Sequence, residues 1–179
     1  MVLLAVVVGC WWVLSWGDSP FACGATSRGA ADECPADVSA AAGDRHWAEQ
    51  RIESIIDEKR TTGLFFWDDG DKKTFVSGED EHAERATEAM RDAGVLFPGR
   101  GAPHPAAAHV ETKVAAWMEE EDITSGVVVI NNERGPCGVD GQGPFSCAVA
   151  VRAILSEGSS LAVWFPGAVE PVILNGERP

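Results

Sequence analysis

The balance of hydrophobic and polar positions changes several times along the chain, and each change marks a boundary. Residues 1–16 (MVLLAVVVGCWWVLSW) are uncharged and almost wholly apolar. This run is shorter than a comfortable membrane span and longer than a typical buried strand. It predicts a signal-like or anchoring segment that would contact a membrane, although the basic n-region is missing after Met1. Val7-Val8-Gly9-Cys10 has the form of a lipoprotein processing box, again without a basic lead-in. The alternatives are a mis-assigned start codon or the tail of a longer membrane segment. Residues 17–44 are rich in Gly, Ala, Ser, Asp and Pro without periodicity, which predicts a flexible linker. In residues 45–60, Trp47, Ile52, Ile55 and Ile56 fall on one side of a helix among charges. That pattern predicts an amphipathic helix packed at a domain edge, with partner binding as the alternative.

A compact domain is expected over residues 61–179. Leu64-Phe65-Phe66-Trp67, a polar turn Asp68-Asp69-Gly70-Asp71 and a run from Lys73 to Ser77 predict a β-hairpin. Ala83, Ala86 and Met90 recur at helical spacing, and Gly94 supplies a C-terminal stop. His82 lies on the polar side of that helix and is read as solvated. His104 sits between prolines in a Gly- and Pro-rich loop, at a site mouth or with no role. From His109 to Asp122, Val110, Val114, Trp117 and Met118 form a buried helical stripe. The acids at its end, Glu119 to Asp122, oppose the helix dipole, so they should be solvated or paired with cations. Val127-Val128-Val129-Ile130 is too short for a helix and β-branched throughout, as befits a central strand buried on both sides. Asn131 and Asn132 follow at its C-terminal edge, where α/β sheets commonly build their sites. Ser146 can cap a helix running to Gly158. Strands at Leu161 to Phe165 and Val169 to Leu174 are joined closely enough to form an antiparallel pair.

Charge narrows the picture. The chain has 14 Lys+Arg against 28 Asp+Glu, a formal net charge of −14. Both parts are acidic: from Phe97 onward 5 basic residues face 10 acidic ones, leaving 9 against 18 upstream. General nucleic-acid affinity rests on Lys and Arg, so contact with phosphate must be local. Of five cysteines, Cys23 and Cys34 could pair in an exported protein, but the odd total and lack of spacing pattern argue against a framework with Cys10.

The remaining cysteines bring chemistry. Ala108-His109-Val110-Glu111 is followed by Gly135-Pro136-Cys137 and by Phe145-Ser146-Cys147. His109, Cys137 and Cys147 are three borderline or soft ligands for zinc, leaving a fourth tetrahedral position for water. Glu111 is placed to move protons to and from that water without being a ligand. This is the H-x-E … P-C … C signature of zinc nucleobase deaminases. His109 and Glu111, two residues apart, diverge within a helix but can lean over a helix start towards one cavity. Pro103 and Pro105 argue for such a start. Cys147 follows the cap Ser146, where a helix N-terminus favours thiolate. A disulfide or two buried thiols are the alternatives for Cys137 and Cys147.

With these residues in order, the sequence resembles the cytidine deaminase-like superfamily. More closely, it resembles the bacterial secreted-toxin branch typified by the double-stranded DNA cytosine deaminase toxin and its actinobacterial relatives. The resemblance spans roughly Thr61 to Leu174. It rests on the Gly63 to Ser77 hairpin, His109-Val110-Glu111 with Ala115-Ala116-Trp117-Met118, Val127 to Asn132, Gly135-Pro136-Cys137-Gly138 and the Leu155 to Val163 stretch. It implies an α/β fold in three layers, a mixed sheet flanked by helices with a C-terminal β-hairpin. It implies zinc (Zn2+) on His109, Cys137 and Cys147, Glu111 as proton shuttle, and Asn132, with Asn131 beside it, near the flipped base or its sugar. DNA would be the substrate and a cognate immunity protein the partner, for a secreted or membrane-anchored effector acting in a target cell's cytoplasm. Two departures stand out: a Gly-rich insertion, Val139 to Ser146, where the superfamily usually has two residues between its cysteines, and the acidic surface. Trp67, Trp164 and Phe165 lie on strands and are read as core rather than stacking platforms. Single strands, RNA and free (deoxy)cytidine are alternative substrates. An inactive deaminase-fold binding module is the alternative from another class.

Overall fold

The structure, a computed structural model, describes residues 38–68, 71–99, 101–141 and 143–179. The apolar segment 1–16, Cys10, Cys23, Cys34 and the centre of the hairpin turn lie outside the described residues. A five-stranded mixed sheet of order β2-β1-β3-β4-β5 organises the rest. Strands β1 (Thr62–Trp67) and β2 (Asp71–Val76) form the expected hairpin. β3 (Ser125–Ile130) pairs antiparallel with β1 and parallel with β4 (Ser160–Trp164). β5 (Val172–Asn175) pairs antiparallel with β4, so the C-terminal hairpin is present. It starts later than expected, because Val169 is 72% exposed in the connecting loop.

Side chains alternate along the central strands, and each face buries its own set. Val128 and Ile130 of β3, with Leu161 and Val163 of β4, face α3 (Glu81–Asp92), α4 (Val110–Glu120) and α5 (Cys147–Ile154). Val127 and Val129, with Ala162 and Trp164, face the other way onto α1 (Val38–Gly43) and α2 (Arg45–Glu53). The layered α/β architecture is therefore as expected, but its membership differs. The linker expected over 17–44 ends in a helix, α1, whose Val38 and Ala41 are buried. The amphipathic helix expected over 45–60 stops at Glu53 and gives way to turns, with Ile55 still buried and Ile56 exposed. Its N-cap Asp44 accepts a hydrogen bond from the Trp47 amide. The domain thus begins before residue 61: without residues 38–55 the Phe66, Val127, Val129 and Trp164 face would be bare.

On the other face, α5 is the crossover that parallel pairing of β3 and β4 requires. α4 sits close on β1 because Gly63 lacks a side chain; a Cβ there would lie 2.5 Å from Val110 Cγ1. The acids ending α4 are partly neutralised, Glu120 by Arg85 at 2.9 Å and Glu119 by Arg178 together with the Ser156 amide and hydroxyl. His82 is not solvated as expected; its ring packs 5.0 Å from Phe75 and edge-on to Trp117 at 5.9 Å. Among the described residues no helix is long and apolar enough to cross a membrane.

Candidate metal centre and active site

Local chain geometry, not the regular part of a helix, aims the key side chains. A 3-10 turn, Pro105–Ala108, starts on His104, whose Nδ1 accepts from the Ala106 amide at 3.2 Å. The chain then passes through His109 in an extended conformation (φ −86, ψ 148) before α4 begins at Val110. His109 is therefore the cap residue of α4, one position outside the helix that was expected to start with it. Its ring makes no capping bond and is free to swing away from the helix axis. This resolves the two-residue spacing of His109 and Glu111: one precedes the helix and the other lies in its first turn.

The histidine Nδ1 lies 2.8 Å from Cys147 Sγ and 3.7 Å from Cys137 Sγ. The two sulfurs are 2.7 Å apart, beyond the ~2.05 Å of a disulfide, and both thiols are free. The disulfide alternative is thereby set aside. Cys147 is the first residue of α5 behind the cap Ser146, whose hydroxyl accepts from the Val149 amide. Amides at that helix start converge on the other cysteine: Cys147 N–H donates to Cys137 Sγ at 2.9 Å, and Ala148 N–H to the Cys137 carbonyl at 3.0 Å. The hydrogen bond from the Cys147 thiol, with those from His109 and the Cys147 amide, pulls Cys137 down to about 4. The same shared proton, with burial and the charges of Glu111 and Cys137, pushes Cys147 up. The two sulfurs therefore share one proton, with the thiolate favoured on Cys137. The first amide of α5 thus favours thiolate on Cys137, the sulfur it donates to. His109 is raised, chiefly by its hydrogen bond with Cys137, against the effect of burial.

Ligand atoms of His109, Cys137 and Cys147 all lie within 4.8 Å of one another, so the three could hold a metal ion. An N,S,S donor set suits a divalent ion that keeps one position open, and binding it would displace the proton between the sulfurs. Glu111 is 3% exposed, and burial raises its carboxyl to about 7, against the pull of its own amide and of His109. A carboxyl poised there can both accept and return a proton at neutral pH.

His109, Cys137 and Glu111 open into a cavity of about 260 Å³, which Thr61, Ser77, Val110, Asn132 and Gly135 also line, while Cys147 lies buried behind it. The two expected asparagines part company here. Asn132 lines the cavity, its amide bonded locally to Gly135 O and Arg134 N. Asn131 points elsewhere, contrary to expectation. Its Oδ1 accepts from the Thr62 amide at 2.8 Å, and its Nδ2 donates to the carbonyls of Ile55, Glu58 and Arg60. Successive residues leaving a strand point to opposite sides, so only one of the pair can reach the site.

Lys113 is a residue that sequence reasoning missed. It is 1% exposed, and Nζ donates to Val76 O, Gly78 O and Asp80 Oδ2 at 2.7, 2.7 and 2.8 Å. Burial pushes Asp80 up, but Lys113 and the Ala83 amide outweigh it and hold Asp80 below its usual range. The Gly78 amide in turn donates to Ala108 O, and the Ser77 amide to Thr61 O, both at 2.8 Å. One ammonium thus ties the wall carrying Ser77 to the helix carrying Glu111. His104 is likewise buried, between Phe97 and Phe145, where burial lowers its pKa and its Nδ1 caps the turn.

The sequence model of the SCP1.201-like deaminase family matches residues 31–179. No curated protein matches the chain. The matched span takes in α1 and α2 as well as the helices around the His109, Cys137 and Cys147 cluster.

Proposed function

Since the chain belongs to the SCP1.201-like deaminase family, we propose that it hydrolyses cytosine to uracil in DNA with zinc held by His109, Cys137 and Cys147. The observation that carries this reading is the cluster of those three donors, two of which, His109 and Cys137, line one cavity with the buried carboxyl of Glu111. Zinc, when bound, supplies a Lewis acid that makes water a usable nucleophile near neutral pH. Glu111 does the proton work. It takes a proton from the attacking water as oxygen bonds to C4, and delivers it to ring N3. It then passes the water's second proton to the amine as the C4–N4 bond breaks and ammonia leaves. Water in, ammonia out, and no redox change balances the reaction. Asn132, which lines the same cavity, would hold the base or its sugar. The acidic chain is consistent with a substrate captured one base at a time instead of tracked along its backbone. The role of antibacterial effector with an immunity partner rests on the resemblance alone and is part of the same proposal.

The test is zinc content of the purified full chain together with uracil formation in single- and double-stranded DNA. Zinc-loaded protein should form uracil, and Glu111→Ala should keep its zinc and lose activity. Loss of zinc from Glu111→Ala would overturn the assigned roles. A zinc protein that leaves all polymers intact but deaminates cytidine would move the reading to free nucleosides, which a cavity of about 260 Å³ also accommodates.

A further inference from the structure

The reactive cavity does not end at Cys137. Asn132, Gly135 and Cys137 also line a second, larger space of about 540 Å³ that continues over the loop before α5. Its other walls are Arg134, Val139, Asp140, Phe165 and Val172. Three features make it more than an extension of the mouth. Phe165 lies one residue beyond β4 and is half-buried: it packs against both apolar cores, as its strand pattern suggests, and also lines this space. Its ring is seated against Gly135, where a Cβ would lie 2.8 Å from Cε1. Val172 and the 41% exposed Val139 extend this apolar surface. Arg134 is exposed and has no carboxylate partner among the described residues, in a chain with twice as many acids as bases. The space is thus an aromatic and aliphatic patch with one free guanidinium beside the reacting centre. Among the described residues that line it, Asp140 is the one carboxylate, which disfavours a second phosphate.

Resting on the reading of the inner cavity as the seat of the target cytosine, we propose that this groove seats the nucleotide adjacent to it. The neighbouring base lies on Phe165, and the phosphate joining the two nucleotides meets Arg134. Both contacts are sequence-tolerant chemistry, stacking on a π-face and a single charge contact. The substrate is accordingly a polynucleotide at least one step longer than a nucleoside. The groove gives an otherwise acidic protein its local hold on the strand.

The experiment uses the full chain, zinc-loaded, and DNA oligonucleotides with one target cytosine flanked on either side by a normal or an abasic nucleotide. For the unaltered protein, removing the base on one side should lower kcat/KM about 10-fold, while removing the other changes little. Phe165→Leu keeps the bulk against Gly135 but removes the ring. It should lose about as much with normal DNA and become indifferent to the abasic neighbour. Arg134→Gln should reduce the slope of log affinity against log salt by about one phosphate's worth. Binding is read separately in the Glu111→Gln background, with fluorescent 2-aminopurine as the neighbour: stacking should quench it, and Phe165→Leu should restore the signal. Deamination that ignores both neighbours, effects of Phe165→Leu and the abasic site that add instead of overlapping, or unquenched 2-aminopurine would each overturn the groove while leaving deamination standing. Activity on cytidine with none on any oligonucleotide would instead remove the premise.

Discussion

The two faces of the sheet are built on different principles. The face under α1 and α2 is a dry apolar layer of Val38, Trp47, Ile52, Phe66, Val127, Val129 and Trp164. There Trp47 meets Phe66 edge-on at 5.0 Å, with the Arg51 guanidinium 4.2 Å above the indole. The face under α3, α4 and α5 has a larger apolar core, yet it also buries Lys113, Glu111, His104 and Cys147. Buried ionisable groups cost stability unless paired. The contrast teaches a division of labour: one layer supplies cohesion with no chemistry, so that the other can hold groups poised for reaction.

Substitutions can break or sharpen that contrast. The largest effect is expected at the ligands: His109→Ala or Cys147→Ser should lose bound zinc and more than about 10³-fold of activity, measured by metal analysis and uracil formation. Next, Glu111→Gln should cost about 10²–10⁴ in kcat without lowering the thermal midpoint, because the amide removes a carboxyl raised by burial. A lowered midpoint would show that Glu111 is a structural group. Trp47→Ala on the opposite face should reverse the pattern. A loss of about 3–5 kcal/mol in denaturant unfolding is expected, with zinc stoichiometry and kcat of the folded fraction kept. Lys113→Met leaves two carbonyls and Asp80 without their donor and should cost about 2–3 kcal/mol. Asp80 lies below its usual range when folded. Its pairing with Lys113 therefore stabilises fully above the ordinary Asp value of about 3.9 and is lost as pH falls through the folded one. Unfolding curves of Lys113→Met should be correspondingly flatter with pH in that acid window. The smallest effect is expected at the asparagines: Asn131→Ala should lower stability by about 1–2 kcal/mol with near-normal kinetics, and Asn132→Ala the converse.

The site face is largely legible in the amino-acid sequence, because its signals are local. The Val127 to Ile130 run, the Ala83/Ala86/Met90 spacing and the Ser146 cap each announce an element from neighbouring residues alone. His109, Cys137 and Cys147 carry unusual donor chemistry in a telling order. The features that stay hidden are non-local or compositionally plain. The helix Val38–Gly43 reads VSAAAG, which has no periodic contrast to distinguish it from the linker before it. Lys113 looks like any solvated lysine until β2 and α3 bring carbonyls and a carboxylate to it. His82 and His104 turn inward for aromatic neighbours that sequence order does not reveal. Asn131 and Asn132 are chemically identical, and only the pleat decides which of them reaches the cavity.

The join at the base of the loop between the cysteines carries a wider consequence. Gly138, at φ +84, lies so near Ser146 that any Cβ would collide with that side chain. The two ends of the excursion are thereby clasped, with Cys147 and Ala148 amides fastened to Cys137. A loop closed at its neck can lengthen or shorten at little cost, since doubling a closed loop adds only about 0.6 kcal/mol. Evolution, or a protein engineer, can therefore trade one such excursion for another and change what approaches the cavity, while the donors beneath keep their places.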